Sequence, residues 1–241
     1  MLHTFYLFLI AISTTLFTAV TTAMLLPVLR RMSVMDLPSD RSNHAAPIPR
    51  GGGIAVMMAT ASFLVVSGAD GYIVCGVLAL AILSFMDDMF HLKARTRLIV
   101  QALTVSLIVL DHEGFLFGGF LPVYLDKFLT ILIWMWFINL YNFMDGIDGI
   151  TVVQTCSIAV GMLVLFLIIP HLPNQLPIDS LILASAMLGF VWWNWHPARL
   201  FLGDVGSIPA GFLMGGLLIE LGFERYWAAA LIPDQSFPAG L

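Results

Sequence analysis

Eight apolar runs separated by short polar breaks constrain this chain more than any other feature. They lie near residues 4–26, 53–68, 71–86, 96–110, 128–144, 151–169, 180–195 and 208–222. A helix that crosses a bilayer needs about 20 mostly apolar residues, with a working range of about 17–25. Hydrophobic residues make up 60% of the chain and charged residues 10%, a surplus that one soluble core cannot bury. The mean hydropathy of +0.97 agrees. The expected fold is all-α: a polytopic transmembrane helix bundle of about eight spans, forming one integral membrane domain over residues 1–241. A soluble enzyme, a disordered chain and a basic-surfaced nucleic-acid reader are excluded, so no nucleic-acid partner is expected. The second to fourth runs are short, and the break Gly68-Ala69-Asp70-Gly71 leaves a re-entrant hairpin open as the alternative to two crossings. Arg30 and Arg31 follow the first run instead of preceding it, which reads as an uncleaved anchor with its N-terminus outside. Cys75 and Cys156 fall inside apolar runs and suggest neither a disulfide framework nor a zinc site.

Eight crossings place four polar segments on one side: 27–52, 87–95, 139–150 and 196–207. Arg30, Arg31, Arg41, Arg50, Lys93, Arg95, Arg97 and Arg199 belong to that side or its rim, against only Lys127 and Arg225 on the other. An excess of basic residues marks cytoplasmic loops, so these four segments are expected to face the cytoplasm. The same side collects the dense clusters of carboxylates, amides and glycines. Loops that merely connect helices have no reason to segregate in this way, whereas a site assembled at one membrane face does.

Asp87-Asp88 follows the third run directly, with Lys93, Arg95 and Arg97 close behind. Adjacent carboxylates repel unless a cation or proton lies between them, and hard divalent ions take carboxylate oxygens. On a helix the two side chains diverge by about 100°, so one is expected to point at a shared centre while its neighbour supports it. In Asn139-Leu-Tyr-Asn142-Phe-Met-Asp145-Gly-Ile-Asp148-Gly the polar residues recur every three positions. Asn139 and Asn142 fall in the last turn of the fifth run, and Gly146 and Gly149 let the chain leave the helix, which puts Asp145 and Asp148 in a tight turn. Four polar groups in this short stretch are costly at membrane depth unless used.

Asp204 stands between glycines just before the eighth run, as an N-cap or a metal ligand. Phe201 nearby is an interfacial anchor or a platform for a planar base. In the first loop, His44 sits among Arg41 and Arg50 ahead of Gly51-Gly52-Gly53, where glycines allow a phosphate or another helix to come close. Trp192, Trp193 and Trp195 read as an interfacial aromatic belt.

Taken together, Asp87-Asp88 after a span, the Asn139-x-x-Asn142-x-x-Asp145-Gly-x-Asp148-Gly run, Phe201-Leu-Gly203-Asp204-x-Gly206-Ser207 and the 44–53 loop resemble, in order, the motifs of polyprenyl-phosphate N-acetylhexosamine-1-phosphate transferases of the MraY/WecA type. The likeness covers residues 27–222, and the Pro49-Arg50-Gly51-Gly52-Gly53 ending is similar to the O-antigen and related bacterial glycan branch. The resemblance implies an enzyme of the bacterial inner membrane with its site facing the cytoplasm. Such an enzyme moves a sugar-1-phosphate from a UDP-N-acetylhexosamine to undecaprenyl (polyprenyl) phosphate, releases UMP and starts a cell-envelope glycan. It implies magnesium, or manganese in its place, held by Asp204. Asp87, with Asp88 adjacent, is implied as base or phosphate-positioning carboxylate, so Asp87, Asp88 and Asp204 form the catalytic set. Asn139, Asn142, Asp145, Asp148, Phe201, His44, Arg50, Lys93 and Arg95 are implied on the substrate side, with Phe201 stacking on uracil. The lipid, the UDP-sugar and the membrane are the implied partners, and a homodimer stays open.

The family runs on for about another hundred residues to a late His-x-His-His-like motif. Here the chain ends at Leu241, and neither His171 nor His196 stands in place of that motif. The expectation is a C-terminally truncated member, with an inactive remnant as one alternative. A coupled transporter is the rival from another class, set against by the crowding of acidic groups at one face and the lack of an internal repeat. Aromatic prenyltransferases and CDP-alcohol phosphotransferases also use Asp-rich magnesium motifs. The latter need an Ala-Arg where Val152-Val153 stands.

Overall fold

The computed structural model describes residues 2–32, 35–36, 47–90, 92–169 and 172–223. Eight helices account for nearly all of them: α1 (Leu2–Arg31), α2 (Gly53–Ser67), α3 (Gly71–Phe90), α4 (Ala94–Asp111), α5 (Val123–Met144), α6 (Ile150–Ile168), α7 (Gln175–Asn194) and α8 (Asp204–Phe223). Two short strands, β1 (Met35–Asp36) and β2 (Ile48–Pro49), pair antiparallel between α1 and α2. The polytopic helical bundle expected from the apolar runs is the observed architecture. Six helices, α1, α3, α5, α6, α7 and α8, are long and apolar enough to cross a membrane. The other two depart from that standard for different reasons. Helix α2 has 15 residues, about 22 Å of helix against a hydrocarbon core of about 30 Å. Helix α4 has the length but carries Arg95, Arg97, Gln101 and Asp111.

The chain runs back and forth, and contacts between helix ends show which ends share a face. Gly53 at the start of α2 lies against Gly206 at the start of α8. Arg97 near the start of α4 bonds Asp87 near the end of α3. The Gly149 N–H before α6 donates to Asn194 at the end of α7. At the other end of the bundle, Gln175 Nε2 donates to Ser67 Oγ, and Lys127 Nζ donates to the Leu110 and His112 carbonyls, closing the C-terminus of α4. The Asp126 carboxylate there accepts the Leu116 and Phe117 backbone N–H groups. The described parts of all four polar segments therefore gather at one end of the bundle.

Helices α7 and α8 form the centre, with 72% and 83% of their apolar windows buried, whereas the other candidate spans present most of theirs to the surroundings. The centre is held by close approach. Trp134 of α5 stacks on Phe212 of α8 with ring centroids 5.1 Å apart, and its indole N–H donates to the Phe212 carbonyl at 2.9 Å. Hydroxyl groups at buried helix positions mostly donate to the carbonyl one turn back, as Thr14, Thr18, Thr60 and Thr130 do. Large apolar side chains such as Phe8, Leu107, Trp136 and Leu167 point outward, as a bundle solvated by lipid requires.

Candidate active site

Three carboxylates and two guanidinium groups meet at the polar-segment end of the bundle. Arg97 Nη1 lies 2.8 Å from Asp87 Oδ2 and 3.1 Å from Asp204 Oδ2. Arg50 Nη2 lies 2.8 Å from Asp88 Oδ1 and 3.6 Å from Asp204 Oδ1. The order is Asp88, Arg50, Asp204, Arg97, Asp87, with Asp204 in the middle. The side chains of Asp88, Asp87 and Asp204 are 6%, 11% and 20% exposed, so these pairs are shielded from water more than ordinary surface ion pairs. The helical divergence of Asp87 and Asp88 does not send one of them away. Each reaches the same centre through its own arginine.

The backbone around this centre brings the first and last polar segments together. Phe201 N–H donates to the Pro49 carbonyl, and the Gly51 and Gly52 N–H groups donate back to the Phe201 carbonyl. Gly53 N–H continues to the Leu202 carbonyl at 2.9 Å. This join sets Arg50 beside Phe201 and carries its side chain toward Asp88 and Asp204. A Cβ on Gly53 would stand 2.3 Å from the Gly206 nitrogen, so the glycine run serves helix-to-helix approach between α2 and α8. Gly203 adopts φ +76°, a left-handed conformation that turns the chain into α8 with Asp204 as its first residue.

The turn after α5 joins the centre from a third side. Asn142 Oδ1 accepts the Ser207 hydroxyl at 2.5 Å. Asp145 Oδ1 accepts the Thr151 hydroxyl at 2.5 Å. Burial pushes the Asp145 carboxyl up to about 7; the Thr151 hydroxyl, the Gly203 N–H and Arg50 oppose the rise, while Asp204 adds to it. Asp148 is occupied otherwise: its Oδ2 meets His196 Nδ1 at 2.9 Å and accepts the Ala198 N–H at 3.0 Å. Asn139 turns to α4, donating to Gln101 Oε1 at 3.0 Å and to the Met135 carbonyl. Lys93 and Arg95 are exposed at the start of α4 and pair with no carboxylate among the described residues. Phe201 is partly buried in the join. His44 lies outside the described residues, as do Arg41 and His171.

Two participants carry more weight than their sequence suggests. Arg97 looks like one of several basic residues on a rim, yet it is the bridge between α3 and α8; its spacing of ten from Asp87 across a short turn is the signal for it. Asn194 accepts the Gly149 N–H and donates to the Leu200 carbonyl, tying the turn before α6 to the loop before α8. Among the described residues, no three Asp, Glu, His or Cys side chains already stand in metal-ligating geometry. Guanidinium groups supply the positive charge between the carboxylates. Carboxylate oxygens are the ligand type that hard divalent ions take, and Asp87 and Asp88 of α3 with Asp204 of α8 are the residues that could supply them.

A family model described as glycosyl transferase family 4 matches residues 71–222, a segment that contains the α3 carboxylates, the 139–148 run and Asp204. The chain belongs to this family. It is 31% identical to a decaprenyl-phosphate N-acetylglucosaminephosphotransferase of Mycolicibacterium smegmatis, over 77% of this chain and 52% of that protein. It is 28% identical to a probable undecaprenyl-phosphate N-acetylglucosaminyl 1-phosphate transferase of Bacillus subtilis, over 80% and 58%. A phospho-N-acetylmuramoyl-pentapeptide-transferase of Pelotomaculum thermopropionicum is 31% identical over 80% and 68%. The chain thus spans about half the length of the first of these relatives.

Proposed function

We propose that the chain carries the catalytic centre of a polyprenyl-phosphate sugar-1-phosphate transferase. In this reading a phosphate oxygen of undecaprenyl phosphate attacks the sugar-bearing phosphorus of a UDP-N-acetylhexosamine. The bond between that phosphorus and the bridging oxygen breaks, UMP leaves, and the lipid diphosphate sugar remains in the membrane. The observation that carries the reading is the convergence of Asp87, Asp88 and Asp204 with Arg50 and Arg97 at one end of a membrane bundle.

Two anionic phosphates must be brought together, so the site has to neutralise charge and align the attacking and leaving oxygens. Arg50 and Arg97 are suited to phosphate oxygens because a guanidinium offers donors in a planar fork. Asp204 would hold magnesium, with Asp88 beside it, and the ion would supply charge neutralisation at the diphosphate when bound. Asp87, held by Arg97, orients the acceptor phosphate. Asn142 and Asp145 stand next to the start of α8 and line the nucleotide side, and Phe201 is the platform for the base. A lipid acceptor reaches the centre from the bilayer and a soluble nucleotide from the cytoplasm, which agrees with the basic-residue excess on these segments.

Exchange of radiolabelled UMP into UDP-N-acetylhexosamines, in membranes carrying this chain and polyprenyl phosphate, tests the reading. Magnesium-dependent exchange that is lost in Asp204→Asn supports it. Absence of exchange from an inserted, intact chain with every UDP-N-acetylhexosamine tried favours an inactive remnant.

A further inference from the structure

We infer that the end of α7 carries a separate pocket for the phosphodiester headgroup of an anionic glycerophospholipid. Along α7, Met187, Phe190 and Asn194 are buried in the bundle, while Leu188, Trp192 and Trp195 are exposed on the opposite side. Val191, Trp192, Trp195, His196, Pro197 and Arg199 line an open cleft of about 560 Å³ on that outward side. On the inward side the Asn194 carboxamide meets Gly149 and Leu200, and none of the cleft's lining residues bonds Asp87, Asp88 or Asp204.

Arg199 is the charge of this cleft. Its guanidinium carbon lies 5.3 Å from the Trp192 ring centroid, and Nη2 donates to the Trp192 carbonyl at 3.0 Å. These contacts fix the fork against the aromatic face without neutralising it. Arg199 forms no ion pair with a carboxylate of the described residues. Asp148, which reaches the same loop, is held by His196 Nδ1 and the Ala198 N–H. An uncompensated cation therefore stands in a cleft walled by two exposed tryptophans, where a membrane-crossing helix leaves the bilayer. That depth is where tryptophan rings settle and where lipid phosphates lie. A guanidinium matches phosphate oxygens, and the tryptophan faces suit the glycerol and upper acyl region of the same molecule.

The full chain in neutral phosphatidylcholine nanodiscs, titrated with phosphatidylglycerol and read by native mass spectrometry, tests this. Wild type is expected to retain phosphatidylglycerol roughly tenfold more strongly than Arg199→Gln, the size of effect one charge-assisted phosphate contact gives. Arg199→Lys should keep part of the preference, and Arg31→Gln, which removes a charge from the same end of the bundle, should keep all of it. Melting temperatures of the variants separate loss of binding from loss of fold. Equal losses in Arg199→Gln and Arg31→Gln would mean attraction by general surface charge and overturn the pocket. Displacement of phosphatidylglycerol by inorganic phosphate would assign the site to free phosphate. Arg199-dependent displacement by polyprenyl phosphate would assign it to the acceptor, and either result overturns the proposal. A negative result leaves the transferase reading untouched, because the two sites share no ligand group.

Discussion

A single nitrogen of Arg97 contacts two carboxylates from different helices, Asp87 of α3 and Asp204 of α8. Removing the arginine leaves two shielded acids facing each other, so Arg97→Ala should lower the melting temperature in detergent, and adding Asp87→Asn should recover part of the loss. Because the arginine is partly exposed, the coupling in that double-mutant cycle is expected at about 1 kcal/mol. Strictly additive effects would show that the bridge contributes nothing. Asp145 gives a pH signature. Its carboxyl sits at about 7 in the fold and near 3.8 when free, so the folded state holds the proton more tightly. The stability linked to it is fully present below the free value and is lost as pH rises through the folded value. Melting temperature should therefore fall between about pH 4 and pH 7, and Asp145→Asn should flatten that fall. A variant whose stability declines as steeply as wild type would place the titrating group elsewhere.

Every helix was legible as an apolar run, but hydropathy located the slab of bilayer, not the ends of the helices. The third run ends near Met86 by composition, while α3 continues to Phe90 and carries Asp87 and Asp88 within it. The seventh and eighth runs begin near 180 and 208, while α7 and α8 begin at Gln175 and Asp204. Polar residues at a helix end still complete the backbone hydrogen bonds of the turn, so they belong to the helix although they oppose the apolar pattern. This is why the site residues sit on rigid helix ends as much as on loops. The role of the glycine run was legible only as two options, and packing decides for helix approach. A methyl group at Gly53 meets the α8 backbone, so Gly53→Ala should destabilise the α2–α8 contact by about 1–3 kcal/mol. Unchanged melting temperature in that variant would mean the helices are not packed as described.

Across the molecule, segregation of polar segments is the most informative part of the sequence, and the fold brings their described parts to one end. What sequence did not disclose is the wiring. Nothing in the spacing of Asn139 shows that it turns to Gln101, or that Asp148 is taken up by His196, because those pairings depend on which helix faces which. Sidedness is testable with single cysteines in a chain freed of Cys75 and Cys156. Lys93→Cys and His196→Cys should react with an impermeant maleimide only from the cytoplasmic side, and Tyr124→Cys, exposed at the other end, only from outside. Labelling of Lys93→Cys and His196→Cys from opposite sides would separate segments that the bundle joins.

We propose that acidic groups from α3 and α8 form one centre able to hold a divalent ion. Electron paramagnetic resonance of manganese titrated into the purified chain addresses it without requiring turnover. One bound ion per chain is expected, absent in Asp204→Asn and weakened in Asp88→Asn. Binding of no ion, or of an ion indifferent to both substitutions, would contradict it.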